Sequence, residues 1–289
     1  MNSGALVIHK AVIAAAGMGT RLLSATKELP KEMLPIFSKN GDDISIKPIL
    51  QIIFEQLDDL GIHEFCFIVG RGKRAIEDHF TPDLPFLDTM SSKGRHSQAR
   101  DLTHFYDRII ESQIVWVNQP KPMGFGDAVM KSHVFTGVDD FIVHAGDTTI
   151  ISSGHKYLKN LVKAHEKLNS DCTILTQRVD DPRNYGVING KNKEKGILKV
   201  SSVIEKPAKP KSNLAILPVY IFKPSIFEAL QKTKPGVGNE LQLTDGIQTL
   251  IEMGHDVYCQ SLPDDDLHLD IGNPSSYWNT LQNSHKMAL

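Results

Sequence analysis

The chain has 289 residues, of which 40% are hydrophobic and 23% charged, an ordinary composition for a globular protein. Its formal net charge is −2, so we expect neither nucleic-acid binding nor attraction to an anionic membrane. No apolar run approaches the roughly 20 residues that a membrane-spanning helix needs. The three cysteines, Cys66, Cys172 and Cys259, lie within apolar segments. That placement indicates buried thiols in a reducing compartment, and we expect a cytoplasmic protein.

Short apolar runs alternate with helical patterns as far as Arg178. The runs ALVIHKAVIAAAG, EFCFIVG, IVWVNQ, DDFIVHAGD and DCTILTQRV predict strands, and several stay apolar on successive residues, as strands buried on both faces do. Helical patterns separate these runs, for example KPILQIIFEQLDDLG, KRAIEDHF, GDAVMKSHVF and YLKNLVKAHEKLN. This βαβ rhythm predicts an α/β fold with a mostly parallel sheet and helices on both faces.

The rhythm changes in the remainder of the chain. YGVINGK, GILKVSSVIEKP and LAILPVYIFKP predict strands separated by turns, which indicates added antiparallel structure, and TDGIQTLIEMG and NPSSYWNTLQNSH predict helices. Two polar stretches interrupt the pattern: residues 40–45 predict a loop tip, and residues 82–108 predict a mobile loop or a short exposed helical insertion. No linker divides the sequence, so we expect one domain over residues 1–289, with that insertion at about 82–108.

The loop after the first strand, AAAGMGTRLLSATKELPKEMLP, combines two glycines with several cations. Gly17 and Gly19 would let the backbone approach a ligand and present N–H groups to an anion. GMGTRL has Leu22 where the dinucleotide-binding motif requires a third glycine, which disfavours NAD binding, and the P-loop motif is absent. A phosphate-binding loop and a solvated charged turn both remain open at this point.

Polar side chains also follow apolar runs further along the chain. VHAGDTTI and LHLDIGNPSSY end apolar stretches with Asp147 and Asp270. NQPKPMGFGDAV places Gln119 five residues before Gly124, and its amide offers both a donor and an acceptor. Taken alone, each of these residues indicates an ordinary turn or strand end.

In this order, G-x-G-T-R-L, TKELPKEMLP, Gln-x4-Gly, YGVI and EKP resemble the sugar-1-phosphate nucleotidyltransferases over nearly the whole chain. TKELPKEMLP and NELQLTDGI are most similar to the uridylyltransferase branch of that family. The sequence departs from that branch at HAGD, where LPD is usual, and at Asn239, where Asp is usual. The resemblance implies a Rossmann-like sheet with added antiparallel strands.

The resemblance also implies an activity: glucose 1-phosphate attacks the α-phosphorus of UTP in line, assisted by Mg²⁺, and UDP-glucose and pyrophosphate form. It implies these residue roles: Arg21 and Lys31 catalytic; Ala16, Gly17, Gly19, Thr20, Glu32, Gln119 and Gly124 at the nucleotide; Gly186, Glu205, Lys206 and Asn213 at the sugar phosphate; Asp147 and Asp270 at the metal. Glu32 would either touch the nucleotide or brace the loop.

The family resemblance further implies a homo-oligomer, either a dimer or a tetramer. Two other readings of the site stay open. One is a thymidylyltransferase that uses dTTP, or an enzyme with a broad nucleotide range, because the glycine-rich loop and EKP are common to these branches. The other is a catalytically weak regulatory homologue, although Arg21, Lys31, Asp147, Lys206 and Asp270 are all present.

Overall fold

The computed structural model describes residues 8–40 and 43–289. Residues 5–7 of the first predicted strand and residues 41 and 42 of the predicted loop tip lie outside this range. The described strands are β1 (Lys10–Ala14), β2 (Pro35–Asn40), β3 (Asp43–Pro48), β4 (Glu64–Val69), β5 (Gln113–Asn118), β6 (Phe141–Ala145), β7 (Thr148–Ile151), β8 (Cys172–Arg178), β9 (Gly186–Glu194), β10 (Ile197–Glu205), β11 (Leu214–Phe222), β12 (Val257–Ser261) and β13 (Leu267–Asp270).

The helices occupy the connections between these strands. They are α1 (Ile49–Asp58), α2 (Arg74–His79), α3 (Leu84–Ser92), α4 (His96–Glu111), α5 (Phe125–Lys131), α6 (His133–Thr136), α7 (Lys156–Leu168), α8 (Ser225–Lys232), α9 (Leu243–Glu252) and α10 (Pro274–Ala288). Two short 3-10 turns, Thr20–Leu22 and Lys31–Met33, lie in the glycine-rich loop. Across residues 8–40 and 43–289, no helix is both long enough and apolar enough to cross a membrane.

Nine strands form the central sheet in the order β5-β4-β1-β6-β11-β8-β12-β10-β9. The first four are parallel. The chain runs outward from β1 through β4 to β5 and then returns to β6 on the other side of β1. Where strand order reverses in this way, the carboxyl ends of the strands flank a crevice that commonly holds a ligand. The glycine-rich loop begins at this crevice, directly after Ala14. Asp147 lies at the same crevice, two residues after Ala145.

The other half of the sheet carries the antiparallel strands that the sequence predicts. β11 pairs antiparallel with both β6 and β8, and β10 pairs antiparallel with β9 and β12. β12 runs parallel to β8. The α/β prediction with added antiparallel structure is therefore confirmed, and the sheet as a whole is mixed. Two smaller pairs, β2 with β3 and β7 with β13, lie outside the central sheet.

Burial on both faces explains why the central strands read as continuous apolar runs. In β4, Phe65 and Phe67 join one core cluster, whereas Cys66 and Ile68 join the cluster on the opposite face. Side chains alternate between the two faces of a strand, so covering both faces with helices requires apolar residues at every position.

Two polar stretches have more structure than a loop. Residues 82–108 contain α3 and most of α4, so the helical alternative fits and the mobile loop does not. Phe105 and Ile109 anchor α4 in the core, while none of the residues of α3 is buried. The prediction of a loop tip at residues 40–45 is wrong for Asp43 to Ser45, which belong to β3, because the chain turns back here as a hairpin.

Candidate active site

A cavity of about 340 Å³ lies at the carboxyl ends of β1, β4 and β5. Its lining includes four residues that the sequence analysis assigned to the site, namely Ala16, Gly17, Lys31 and Gln119. The segment after β4, residues 70–73, lines the opposite part of the cavity and was not singled out from the sequence. The three loops meet here because their strands are parallel neighbours and end at one edge of the sheet.

The two glycines shape the loop after β1 in different ways. Gly19 has a φ of 65° and its carbonyl accepts a hydrogen bond of 2.8 Å from Thr26 Oγ1, so the loop folds back on itself. Gly17 leaves room for a cation: a Cβ there would lie 3.3 Å from Lys31 Nζ. Thr20 and Arg21 follow in an exposed 3-10 turn. Glycine at these positions therefore sets both the turn and the approach of Lys31.

Lys31 and Asp147 form an ion pair between the loop after β1 and the loop after β6. Burial would raise the pKa of Asp147, but the adjacent Lys31 charge outweighs it and keeps that pKa below its usual value. Burial likewise works to lower the pKa of Lys31, and Asp147 and Glu32 together raise it. Both groups are thus held in their charged forms at the crevice.

Glu32 is 1% exposed and accepts a 2.6 Å hydrogen bond from Lys73 Nζ. Burial dominates the behaviour of both groups, raising the pKa of Glu32 and lowering that of Lys73. The pair joins the turn that carries Lys31 to the segment after β4. Of the two roles expected for Glu32, this burial favours bracing of the loop. Lys73 itself was missed; the glycine-flanked GRGK directly after a strand was the available signal.

Asp270 and Asp147 lie at adjacent ends of a two-stranded pair. β13 and β7 align Asp270 with Thr148, and the backbone N–H of Ile271 donates to the Asp147 carbonyl over 3.3 Å. Arg21 reaches the same place, since a Cβ at Gly272 would lie 2.9 Å from Asp270 Oδ2 and 3.5 Å from Arg21 Nη2. The predicted metal ligands and catalytic cations are therefore brought together.

Two carboxylates without a third protein ligand suit only certain metal sites. No group of three His, Cys, Asp or Glu side chains suited to a metal occurs among residues 8–40 and 43–289. Asp147 and Asp270 offer hard oxygen donors beside a crevice lined by cations. This donor set fits a divalent ion that takes its remaining ligands from phosphate oxygens and water.

Gln119 is 5% exposed, and its amide is held by two acceptors. Its Nε2 donates to the Gly124 carbonyl over 3.1 Å and to Asp127 Oδ2 over 2.7 Å. Gly124 has a φ of 106°, and a Cβ there would lie 2.5 Å from the Leu241 carbonyl oxygen. Leu241 belongs to the NELQLTDGI segment, so two motifs that are far apart in sequence meet at this side of the cavity.

Three of the four residues predicted at the sugar phosphate lie together. Glu205 Oε2 accepts a 2.7 Å hydrogen bond from Thr244, and a Cβ at Gly186 would lie 3.3 Å from the same oxygen. Lys206 is adjacent, with its Nζ 3.1 Å from Glu205 Oε1 and a positive φ of 42°. Asn213 is instead exposed, and its Oδ1 accepts from Arg178, so its contacts do not join it to Glu205.

Comparison with known proteins places this geometry in a family. The sequence pattern of the family described as "Nucleotidyl transferase" matches residues 10–287. The chain is 38% identical over 251 residues to the UTP–glucose-1-phosphate uridylyltransferase of Streptococcus pneumoniae, covering 84% of this chain and 80% of that protein. It is 37% identical over 263 residues to the enzyme of the same name from Mycoplasma pneumoniae, covering 88% and 84%.

A solved structure of UDP-glucose pyrophosphorylase complexed with UDP-glucose superimposes on this chain with a TM-score of 0.82. The two are 29% identical, and the alignment covers 97% of this chain and 99% of that one. The chain belongs to the nucleotidyltransferase family. The resemblance noted from the glycine-rich loop and the EKP motif is thereby confirmed.

Proposed function

We propose that the protein transfers a uridylyl group from UTP to glucose 1-phosphate, giving UDP-glucose and pyrophosphate. The observation that carries this proposal is the convergence of Arg21, Lys31, Asp147 and Asp270 at the crevice beside β1 and β6. The uridylyltransferases of Streptococcus pneumoniae and Mycoplasma pneumoniae support it, since each matches more than four fifths of this chain.

The reaction requires neutralisation of phosphate charge and does not require a nucleophilic side chain. A phosphate oxygen of the sugar phosphate is already nucleophilic at neutral pH, attacks the α-phosphorus, and the bond from that phosphorus to the leaving pyrophosphate breaks. Two anions must approach each other, so positioning and cationic groups supply most of the catalysis. Arg21 would neutralise charge on the leaving pyrophosphate, and Lys31 would contact the α-phosphate or the incoming sugar phosphate.

The cluster around Glu205 suits the sugar. A carboxylate held by Thr244 retains a free oxygen lone pair for a sugar hydroxyl. Lys206 is half exposed beside it and would hold the sugar phosphate, and Gly186 lets the backbone approach. Asn213 remains a proposed ligand: its Oδ1 accepts from Arg178, and its Nδ2 amide would donate to the sugar phosphate.

The nucleotidyltransferase family generally uses a divalent metal ion, and we propose Mg²⁺ here. Asp147 and Asp270 would hold it. The ion, when bound, screens phosphate charge and orients the phosphate oxygens. Lys31 forms an ion pair with a carboxylate oxygen of Asp147. When the nucleotide binds, this lysine would leave the carboxylate and pair with a phosphate instead. Chelation should then abolish turnover, and Mg²⁺ should restore it.

Three further features belong to the same proposal. The protein would form a single domain, since its two large core clusters pack against one continuous sheet. It would work in the cytoplasm, consistent with three buried free thiols. It would assemble as a homo-oligomer, for which the exposed side chains of Ile46 and Trp278 offer apolar contact area. Light scattering at several protein concentrations tests the last point.

The test is pyrophosphate release from glucose 1-phosphate with UTP and with dTTP in parallel. Release with UTP far above dTTP is the expected result. Comparable rates, or a preference for dTTP, would favour the thymidylyl or broad-range reading. Binding of UDP-glucose without release from either nucleotide would favour a regulatory homologue.

A further inference from the structure

The Gln119 amide has a fixed orientation. Its two N–H groups face Gly124 O and Asp127 Oδ2. A carbonyl and an ionised carboxylate only accept hydrogen bonds. Rotating the amide by half a turn would set Gln119 Oε1 against both of these oxygens and lose both bonds. The orientation therefore follows from the partners and leaves Oε1 as the side chain's remaining polar atom.

Gln119 lines the cavity of about 340 Å³ together with Ala16 and Gly17, and we propose that these three residues bind the nucleotide. No hydrogen bond to its Oε1 comes from any residue in the described ranges, 8–40 and 43–289. A ligand in the cavity thus meets an acceptor at this position and no amide donor. Uracil and thymine carry an N–H at ring position 3, whereas cytosine carries a bare nitrogen lone pair there. Placed against ring position 3, an acceptor fixed at Gln119 suits the first two bases and repels the third.

We propose that Asp127 is a specificity-determining positioning residue that orients Gln119 for uracil or thymine and against cytosine. The proposal rests on the proposed nucleotidyl transfer and refines its base specificity. Asp127 lies in the first turn of α5 and acts through its hydrogen bond to Gln119. Its other contact is Lys131 Nζ, 3.8 Å from Oδ1 on the next turn of the helix. Gln119 and Asp127 are joined by the shorter of the two amide hydrogen bonds, and charge makes that bond the stronger one.

Two substitutions at Asp127 test the orientation. In Asp127→Asn the new amide can donate to Gln119 Oε1, so a rotated glutamine would oppose only Gly124 O while presenting Nε2 to the base. In Asp127→Ala one acceptor is lost and only Gly124 O holds the amide. Lys131→Met is the matched control, because it removes the other partner of Asp127 within α5 and leaves the bond to Gln119 in place.

The measurement is the ratio of kcat/KM for UTP to kcat/KM for CTP, with glucose 1-phosphate as acceptor. We expect both Asp127 variants to lower this ratio about tenfold, the loss typical of one charge-assisted hydrogen bond. Lys131→Met should keep the wild-type ratio. An unchanged ratio in the Asp127 variants, with wild-type use of UTP intact, would overturn the proposal and leave the proposed function standing.

Binding measurements distinguish failure of the proposed function from failure of the proposed role of Asp127. If the wild type releases no pyrophosphate from any pyrimidine nucleotide, the proposed function fails, and calorimetry with UDP and CDP tests the orientation directly. Tighter wild-type binding of UDP, with the difference reduced in Asp127→Asn, would support it; equal wild-type affinities would overturn it. Loss of the fold in both Asp127 variants would assign the carboxylate to stability and also overturn the proposal.

Discussion

Lys73 and Glu32 form an ion pair of 2.6 Å in which neither side chain is more than 7% exposed. Glu32 directly follows Lys31, so the pair fixes the turn that presents Lys31 to Asp147. Charged groups of alternating sign run from Lys73 through Glu32 and Lys31 to Asp147. Removing one member of such a series leaves a buried charge without its partner, which is costly in a low-dielectric environment.

Replacing Lys73 by Met should therefore destabilise the protein strongly. We expect the free energy of unfolding to fall by about 3–5 kcal/mol, because Glu32 would stay buried without its hydrogen-bonded partner. Urea denaturation measures the change. The control is Lys232→Met, which breaks an exposed pair of 2.7 Å with Glu228 and should leave the free energy of unfolding nearly unchanged.

The double variant Lys73→Met, Glu32→Gln should recover much of that stability, because no unpaired charge remains. A loss in Lys73→Met no greater than in Lys232→Met would contradict this account of the buried pair.

Arg21→Ala tests the cation beside Asp270. Turnover should slow because the activation barrier rises by roughly 2–4 kcal/mol when one preorganised electrostatic contact to the leaving pyrophosphate is lost. Steady-state kinetics would show this loss mainly in kcat. Arg183→Ala is the matched control, because Arg183 is an exposed arginine paired with Asp181 rather than with the site carboxylates. Near-normal turnover in Arg21→Ala would refute the catalytic role.

Gly124→Ala tests the close packing of the loop between β5 and α5, which contains Gly124, on Leu241. The control is Gly254→Ala, since Gly254 has a similar positive φ of 90° but no atom within 4 Å of the added Cβ. Alanine is strained at the positive φ of both positions, and more so at Gly124, whose ψ of 170° lies in a region that only glycine commonly occupies. Gly124→Ala also adds a 2.5 Å approach to a backbone oxygen. Denaturation should show the larger loss for Gly124→Ala; equal losses would show that Leu241 moves away freely.

His144 makes stability depend on pH. It is fully buried on β6, and burial lowers its pKa from 6.5 to about 4 despite the nearby Ala145 carbonyl. Below pH 6.5 the unfolded chain takes up a proton that the folded chain does not. Stability should therefore decrease from pH 6.5 towards 4, by about 1.4 kcal/mol per pH unit for this residue.

His144→Phe should have a flatter pH dependence of its unfolding free energy over that range. Some slope should remain, because burial also lowers the pKa of His79 to about 4. Measurements above pH 7.5 give the packing effect of the substitution alone. An unchanged slope between pH 4 and 6.5 would contradict a buried neutral His144.

The parallel half of the sheet could be predicted because its strands are continuously apolar. β4 and β6 bury every residue from Phe65 to Val69 and from Phe141 to His144, and burial of that kind shows directly in sequence. β7 and β13 have only four residues each, too few for a periodic signal. The closeness of Asp147 and Asp270 depends on that pairing, so it rested on family resemblance rather than on pattern.

The contacts between buried side chains of the site are the part that sequence reasoning could not reach. Lys73 and Glu32 are 41 positions apart, and no pattern in the sequence pairs one with the other. Thr244 joins Glu205 from a distant helix in the same way. Such pairs are products of tertiary packing, whereas Gly17, Lys31 and Gln119 lie in local motifs that a short stretch of sequence shows.

The most direct test is to incubate the protein with UTP, glucose 1-phosphate and Mg²⁺ and to quantify both products. We predict UDP-glucose and pyrophosphate in equal amounts, with no pyrophosphate when glucose 1-phosphate is omitted. Pyrophosphate released at the same rate without the sugar phosphate would indicate hydrolysis of UTP instead. That result, or the absence of UDP-glucose, would contradict nucleotidyl transfer to glucose 1-phosphate.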